Sequence, residues 1–320
     1  MRSPVATRDA VFEFPLAGPE GEPIDLWRTC MSHGLTELPP MRLDPAARAL
    51  EITLPVTGAR PRVVRVSEAR SGVGIIRILG PAPSPRVVER VVATARHVLR
   101  LDESLAAFYA LAAGDTDLAW ACAGAGRLIR SPTVFEDVVK TVCTTNCSWA
   151  LTRRMITALV EHLGEPAPGA PAAGWTGRAF PTAAAMAGAR PSFYKRVVRA
   201  GYRGPYLLTL ARHVARGEVD LEPLGRAPGL PGALSDDDVA ERLLALPGVG
   251  PYAAAHIMML LGRYSRLVFD SSTRPAFARL SGRRRAVADR TITRRFRPYG
   301  SYAGLAFWLY LTRRWVDDGA

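Results

Sequence analysis

From Leu246 to Arg274 the chain reads LPGVGPYAAAHIMMLLGRYSRLVFDSSTR: a glycine-bearing turn, an apolar stretch of helical length, and a lone acid, Asp270. A single carboxylate in apolar surroundings can stabilise positive charge that develops in a transition state, and it can orient or deprotonate a water. The turn suits a different task. Gly248 and Gly250 let the backbone take turn geometry and pass close to a ligand, and the helix opening after them aims free N–H groups at the turn. That arrangement favours an anion, and for a basic chain the anion at hand is a nucleic-acid phosphate. A glycine turn between helices can also be no more than a helical hairpin. Asp270 likewise has two readings. Ser, Ser and Thr follow it, so it is either a plain N-cap or a catalytic acid kept ionised by a helix N-terminus. Pro275 is expected to delay or kink that helix.

These residues need a helical frame, and the flanking sequence supplies one. SDDDVAERLLAL, before the turn, opens with a capping Ser and acids in its first turn. PTVFEDVVKTVCTTNCSWALTRRMITALVEHLG reads as two helices broken by polar residues around Thr144 to Ser148. TAAAMAG, SFYKRVVRA and YLLTLARHVARGE are further short helices, and EPAPGAPAAGWTG is a loop. DESLAAFYALAAG reads as a helix with an acidic cap. The first hundred residues differ. ALEITLPV, PRVVRVSEA and GVGIIRILG are short Val/Ile-rich strands, and PSPRVVERVVATARHVLRLD has helical spacing. The fold class expected is α+β, with an antiparallel sheet domain at 1–110 and a mostly helical domain at 111–320 whose two subdomains flank a cleft.

Composition narrows the function. A length of 320 residues with 48% hydrophobic content allows a sizeable core. The net charge of +13 points to a polyanionic partner. The only lysines are Lys140 and Lys195, so the basic charge is nearly all arginine, which suits bidentate phosphate contacts. A codon bias accounts for part of the arginine content but not for its excess over acids. Arginines 274, 279, 283, 284, 285, 290, 294, 295 and 297 crowd one region with a single acid, Asp289, among them. That region is a candidate phosphate track beside Asp270, with a solvated loop as the alternative. Cys30, Cys122, Cys143 and Cys147 include no CxxC pair, which argues against a cysteine-ligated iron–sulfur cluster or zinc ribbon. The opening MRSPVATRDAVFEFP lacks the apolar core of a signal peptide, and no apolar run is long enough to span a bilayer. A cytoplasmic monomer is expected.

LPGVG between two helices, with an acid about twenty residues on, resembles the helix–hairpin–helix DNA glycosylases of base-excision repair. The likeness runs from roughly residue 115 to 312, and the N-terminal sheet fits the extra domain of the 8-oxoguanine and inducible 3-methyladenine branch. The resemblance implies double-stranded DNA with a damaged base as partner, and Asp270 as the catalytic carboxylate. RLIRSPTVFEDVVKTVCTTNCSWALTRRM resembles the segment bearing the family's DNA wedge, which would make Asn146 the wedge; a capping Asn is the plainer reading. RAGYRGPYL is similar to the segment that receives the orphaned base, here Tyr202 and Arg203. SYAGLAFWLYL resembles the last helix lining the base pocket, so Phe307, Trp308 and Leu311 join Tyr252 and Trp149 as pocket candidates. Simple packing is the alternative for each. The hairpin carbonyls of Leu244, Leu246 and Val249 match those that hold a monovalent cation in the family; no other cofactor is expected.

Tyr252 is the informative departure. It stands two residues after the last hairpin glycine, where bifunctional members carry an attacking lysine. Without an amine a Schiff base is hard to form, so the resemblance implies a monofunctional enzyme. Phe307 replaces a glutamine that the oxoguanine branch uses on its base. An aromatic pocket favours electron-poor alkylated purines. The alternatives are an 8-oxoguanine-type glycosylase and a non-catalytic binder of damaged DNA.

Overall fold

The computed structural model describes residues 10–283, 285 and 287–315. Arg284 of the arginine cluster, and most of the opening segment read for a leader, lie outside the described residues. An N-terminal antiparallel sheet is followed by a mostly helical remainder, an α+β chain. The strands are β1 (Ala10–Pro15), β2 (Met41–Asp44), β3 (Ala49–Val56), β4 (Ala59–Arg70) and β5 (Val73–Leu79), in spatial order β1-β5-β4-β3-β2. β3 coincides with ALEITLPV, where β-branched and leucine side chains bury both faces. The edge strands β1 and β2 were not expected. AVFEFP ends in Pro, and MRLD is only four residues long, so neither has enough alternation to stand out. The helix Pro85–Leu99 lays Val87, Val91, Ala95 and Val98 on the sheet.

The remaining helices form two apolar clusters. One gathers Val134–Val160 with Leu207–Leu261, and also takes in Leu35 and Leu38 from the N-terminal segment. The other joins Leu105–Leu128 to Ala255–Leu309. The helix Pro251–Leu260 belongs to both: Ala254, Ile257 and Met258 face the first cluster, and Ala255 and Met259 face the second. A helix apolar on every side is a buried helix, and this one fixes the seam between the two halves. Buried ions brace the seam. Arg100 donates to the carbonyls of Leu128 and Leu260, placing a cation at the C-terminus of the hairpin helix. Arg127 pairs with Glu22 at 2.8 Å, both out of solvent.

Local chemistry explains most helix ends. Ser235 and Asp238 form a reciprocal capping box on the helix Asp236–Leu244. The acidic cap expected for DESLAAFYALAAG does not form. The helix starts after Leu105, and Asp102 pairs with Arg96 instead. Pro275 neither delays nor kinks its helix. That helix begins at Thr273, so Pro275 falls in the first turn, where no intrahelical N–H bond is lost. No helix among the described residues is long and apolar enough to cross a membrane.

Candidate active site

A cleft of about 1120 Å³ opens at the N-terminus of the Pro251–Leu260 helix. Asp270, Tyr252, Asn146, Trp149, Tyr202 and Trp308 line it, together with Gly248, Val249 and Gly250 of the turn. Residues more than a hundred positions apart thus meet at the hairpin.

Asp270 divides its work between its two oxygens. Oδ1 accepts hydrogen bonds from the Ser272 N–H (2.8 Å), the Ser272 hydroxyl (2.8 Å) and the Thr273 N–H (2.7 Å). The Asp270 N–H donates in turn to Thr273 Oγ1 at 2.9 Å. Oδ2 enters none of these bonds, and the side chain faces the cleft. The capping and chemical readings are therefore compatible. Burial pushes the carboxyl pKa up, but hydrogen bonds from Thr273 and Ser272 outweigh it and hold the group below the usual carboxylate range. Asp270 is thus ionised at neutral pH.

Tyr252 is half-buried and packs against both helical clusters. Its hydroxyl lies 3.2 Å from His256 Nδ1 and 3.5 Å from Thr144 Oγ1. Burial raises its pKa. Neither lysine lines the cleft. Lys140 is buried beside Glu136 at 2.6 Å, and Lys195 is exposed elsewhere.

The two hairpin glycines do different things. Gly248 has φ +80°, and a Cβ there would meet the Tyr206 ring at 3.0 Å. Gly250 has an extended backbone, and a Cβ on it would meet nothing within 4 Å. Turn geometry therefore requires only Gly248; Gly250 leaves open space before the helix. The amides of Tyr252 and Ala253 point into that space without an intrahelical acceptor, because Ala254 makes the first such bond, to Gly250. The carbonyls of Leu244 and Val249 accept no backbone hydrogen bond among the described residues, while that of Leu246 accepts one from Val249 at 3.2 Å.

Asn146 sits at φ +46° in the break between the helices Val134–Thr144 and Trp149–Leu163, a conformation Asn tolerates better than most residues. It caps neither helix. Thr145 ends the first, and the Ser148 side chain caps the second. The exposed Asn146 amide donates to the Tyr202 hydroxyl at 3.3 Å.

Several expected site residues fall elsewhere. Phe307 is 1% exposed and packs among Phe269, Phe277 and Phe296, so it belongs to the core and not to the cleft wall. Leu311 packs against the same cluster and is off the cleft. Arg203, expected to receive the orphaned base, is turned into the protein. It is 3% exposed, stacks under Tyr202, and donates to the Thr145 carbonyl and hydroxyl, bracing from inside the turn that carries Asn146. Arg274 is half-buried and off the cleft. It forks onto Asp289 at 2.7 and 2.9 Å and donates to the Asp270 carbonyl. Arg295 is paired with Asp115 and Asp117. Arg279, Arg283, Arg285, Arg290, Arg294 and Arg297 remain exposed with no ion pair among the described residues.

Two histidines complete the floor of the cleft. His33 comes from the N-terminal segment and His256 from the hairpin helix, and both are buried. Sequence reasoning passed over both. His256 left a signal, as the one polar side chain in AAAHIMML, four residues from Tyr252. His33 left none, because it arrives through tertiary packing. Burial lowers their pKa values to about 3 for His33 and about 4 for His256, so both are neutral at pH 7. No group of acids, cysteines and histidines suited to a metal ion occurs among the described residues.

The whole fold is shared with solved DNA glycosylases. A 3-methyladenine DNA glycosylase from Archaeoglobus fulgidus superposes with a TM-score of 0.70 at 20% identity, over 95% of this chain and 98% of that one. MBOgg1, solved in complex with a low-affinity DNA ligand, gives 0.72 at 18% identity, over 98% and 99%. The 8-oxoguanine glycosylase/lyase of Clostridium acetobutylicum gives 0.64 at 19%, over 88% and 93%. No family model and no curated protein matches the chain.

Proposed function

We propose that this chain is a DNA glycosylase that flips a damaged base into the cleft and hydrolyses its N-glycosidic bond. The carrying observation is Asp270, an ionised carboxylate in the cleft lining with one oxygen locked to a helix start and the other left out of those bonds. As the bond to the base breaks, its electron pair leaves with the base and positive charge grows on the sugar. Asp270 Oδ2 faces that charge and takes a proton from the water that adds to C1′. The hairpin amides, with no Cβ at Gly250 in the way, hold a phosphate of the same strand. Asn146 fills the gap left in the duplex, steadied by Arg203 behind its turn.

The available carbonyls of Leu244 and Val249, with the second lone pair of Leu246, fit a monovalent cation, which would add positive charge beside that phosphate. Tyr252 stands where an amine would have to be, and neither lysine reaches the cleft, so the reaction is hydrolytic and leaves an abasic site without nicking the strand. The aromatic lining, Trp149 at 37% and Trp308 at 9% exposure together with Tyr252, favours an electron-poor alkylated purine.

Asp270→Asn tests the reading. Its amide oxygen still accepts from Ser272 and Thr273, so the fold and lesion-duplex binding should persist. Base release should fall by about two to three orders of magnitude, the scale of losing one key electrostatic group. Release at the wild-type rate would refute the mechanism.

A further inference from the structure

One short stretch of the sheet half, residues 32–37, holds two tryptophans of the cleft. Glu37 Oε2 accepts from the Trp149 indole N–H at 3.1 Å, across 112 positions, and the Ser32 carbonyl accepts from the Trp308 indole N–H at 2.8 Å, across 276. The stretch is itself anchored. Leu35 and Leu38 are buried in the first helical cluster, the Thr36 hydroxyl donates to the His33 carbonyl at 2.9 Å, and Ser32 Oγ accepts from the Ile129 N–H at 3.0 Å. Both indoles are thereby fixed to one frame. Gly34 is fitted to the first of them. It has no positive φ, so its backbone does not call for glycine. A Cβ there would lie 3.3 and 3.4 Å from Cζ2 and Cη2 of Trp149, and the ring would have to give by a few tenths of an ångström. Trp149 is 37% exposed, a ring partly open to the cleft and held at its edge by Gly34 and Glu37. Gly34 and both tryptophans line the cleft, but Glu37 does not, so its route to the cleft is the indole it holds.

Resting on the glycosylase reading, we infer that Glu37 and Gly34 are positioning residues for base recognition, setting the plane on which Trp149 stacks a flipped cationic base. An indole gains from a cation only while the cation lies over its face, within about 6 Å of the ring centre. Glu37 keeps the indole from turning about its long axis by holding the N–H, and Gly34 lets the six-membered ring settle against the main chain. The sheet half thus takes part in choosing the substrate through the wall it holds, although its carboxylate stands outside the cleft.

The experiment measures binding of duplexes that carry a cationic alkylated purine, as the 2′-fluoro nucleotide that resists release, against the same purine with carbon in place of the alkylated nitrogen, which is neutral and close in shape. Two such pairs are used, adenine alkylated at N3 and guanine alkylated at N7. Wild type should prefer the cationic member of at least one pair by about five- to thirtyfold, the scale of a desolvated cation–π contact. Glu37→Leu should lower that preference by about two- to tenfold, the scale of one hydrogen bond. Gly34→Ala should lower it too, while Glu37→Gln, which still offers the indole an oxygen, should keep most of it. Trp149→Ala should reduce the preference by itself, and adding Glu37→Leu to it should change nothing further. A preference is a ratio, so loss of folded protein cancels and general destabilisation cannot imitate this pattern. Suppose wild type releases an alkylated purine. A preference that is absent, that Glu37→Leu leaves unaltered, or that Glu37→Leu lowers equally with and without Trp149 would then overturn the inference and leave the glycosylase reading standing. No release of any base by wild type would overturn both.

Discussion

Replacing Asp270 by Asn removes a charge while keeping an oxygen for the Ser272 and Thr273 amides, so stability and chemistry can be separated at one residue. The folded pKa of Asp270 lies below its ordinary value, so its ionisation contributes stability that is present above about pH 4 and is lost as pH falls through the folded value. Thermal melts of wild type and Asp270→Asn should therefore differ by a constant amount from pH 8 down to about pH 5 and converge in stronger acid. Base release should show no acidic limb from Asp270 above about pH 4. A limb near pH 6 that disappears in Asp270→Asn would contradict the hydrogen-bonded, ionised state. At Tyr252 the test is covalent: borohydride should trap no protein–DNA adduct, and a trapped adduct would mean that an amine reaches the sugar. Asp270, Tyr252 and Asn146 were legible as candidates because the hairpin and the helix break mark their places in the sequence, and all three line the cleft. Phe307 and Trp308 were not separable by sequence. They are adjacent on one helix, and only tertiary packing turns the first into the phenylalanine core and the second toward the cleft.

At the scale of elements, the hairpin makes a prediction that splits its two glycines. Gly248→Ala must hold φ +80° and crowd Tyr206, so it should cost about 1–2 kcal/mol of stability, read by denaturant melts. Gly250→Ala has ordinary backbone and open space, so stability should stay within about 0.5 kcal/mol. Yet its methyl would stand in the open space proposed for the phosphate, and on that proposal DNA affinity should fall. Unchanged affinity in Gly250→Ala would remove the anion site from the turn. A second element carries a buried pair, Glu136 and Lys140, on the helix Val134–Thr144. Lys140→Met strands a buried carboxylate and should destabilise by about 3–5 kcal/mol, while Lys140→Met with Glu136→Leu should recover most of that. The helices were readable from the sequence because capping residues and 3.6-residue periodicity are local. The edge strands Ala10–Pro15 and Met41–Asp44 were not, since short edge strands depend on their pairing partners, Val73–Leu79 and Ala49–Val56.

At the scale of the whole molecule, the +13 charge and the fold point the same way. The exposed arginines Arg279, Arg283, Arg290 and Arg294 lie on or beside the two helices that follow Asp270 in the chain, Thr273–Leu280 and Asp289–Phe296, whereas Arg274 and Arg295 are occupied by acids. Changing Arg279, Arg290 and Arg294 to Gln should flatten the dependence of log affinity on log salt by about 0.9 for each arginine that meets a phosphate. An unchanged slope would place the DNA on another face. The α+β architecture was evident in the sequence, from Val/Ile-rich strands giving way to helical periodicity. What closes the cleft was not, because His33 reaches it from the sheet domain and His256 from the hairpin helix. The central claim is hydrolysis of a glycosidic bond without strand cleavage. It is tested most directly by incubating wild-type protein with duplexes carrying single alkylated purines, hypoxanthine, uracil or 8-oxoguanine, and resolving the strands before and after hot alkali. The account predicts breaks at an alkylated purine that appear only after alkali. Breaks without alkali, or tight binding with no base released from any duplex, would contradict it.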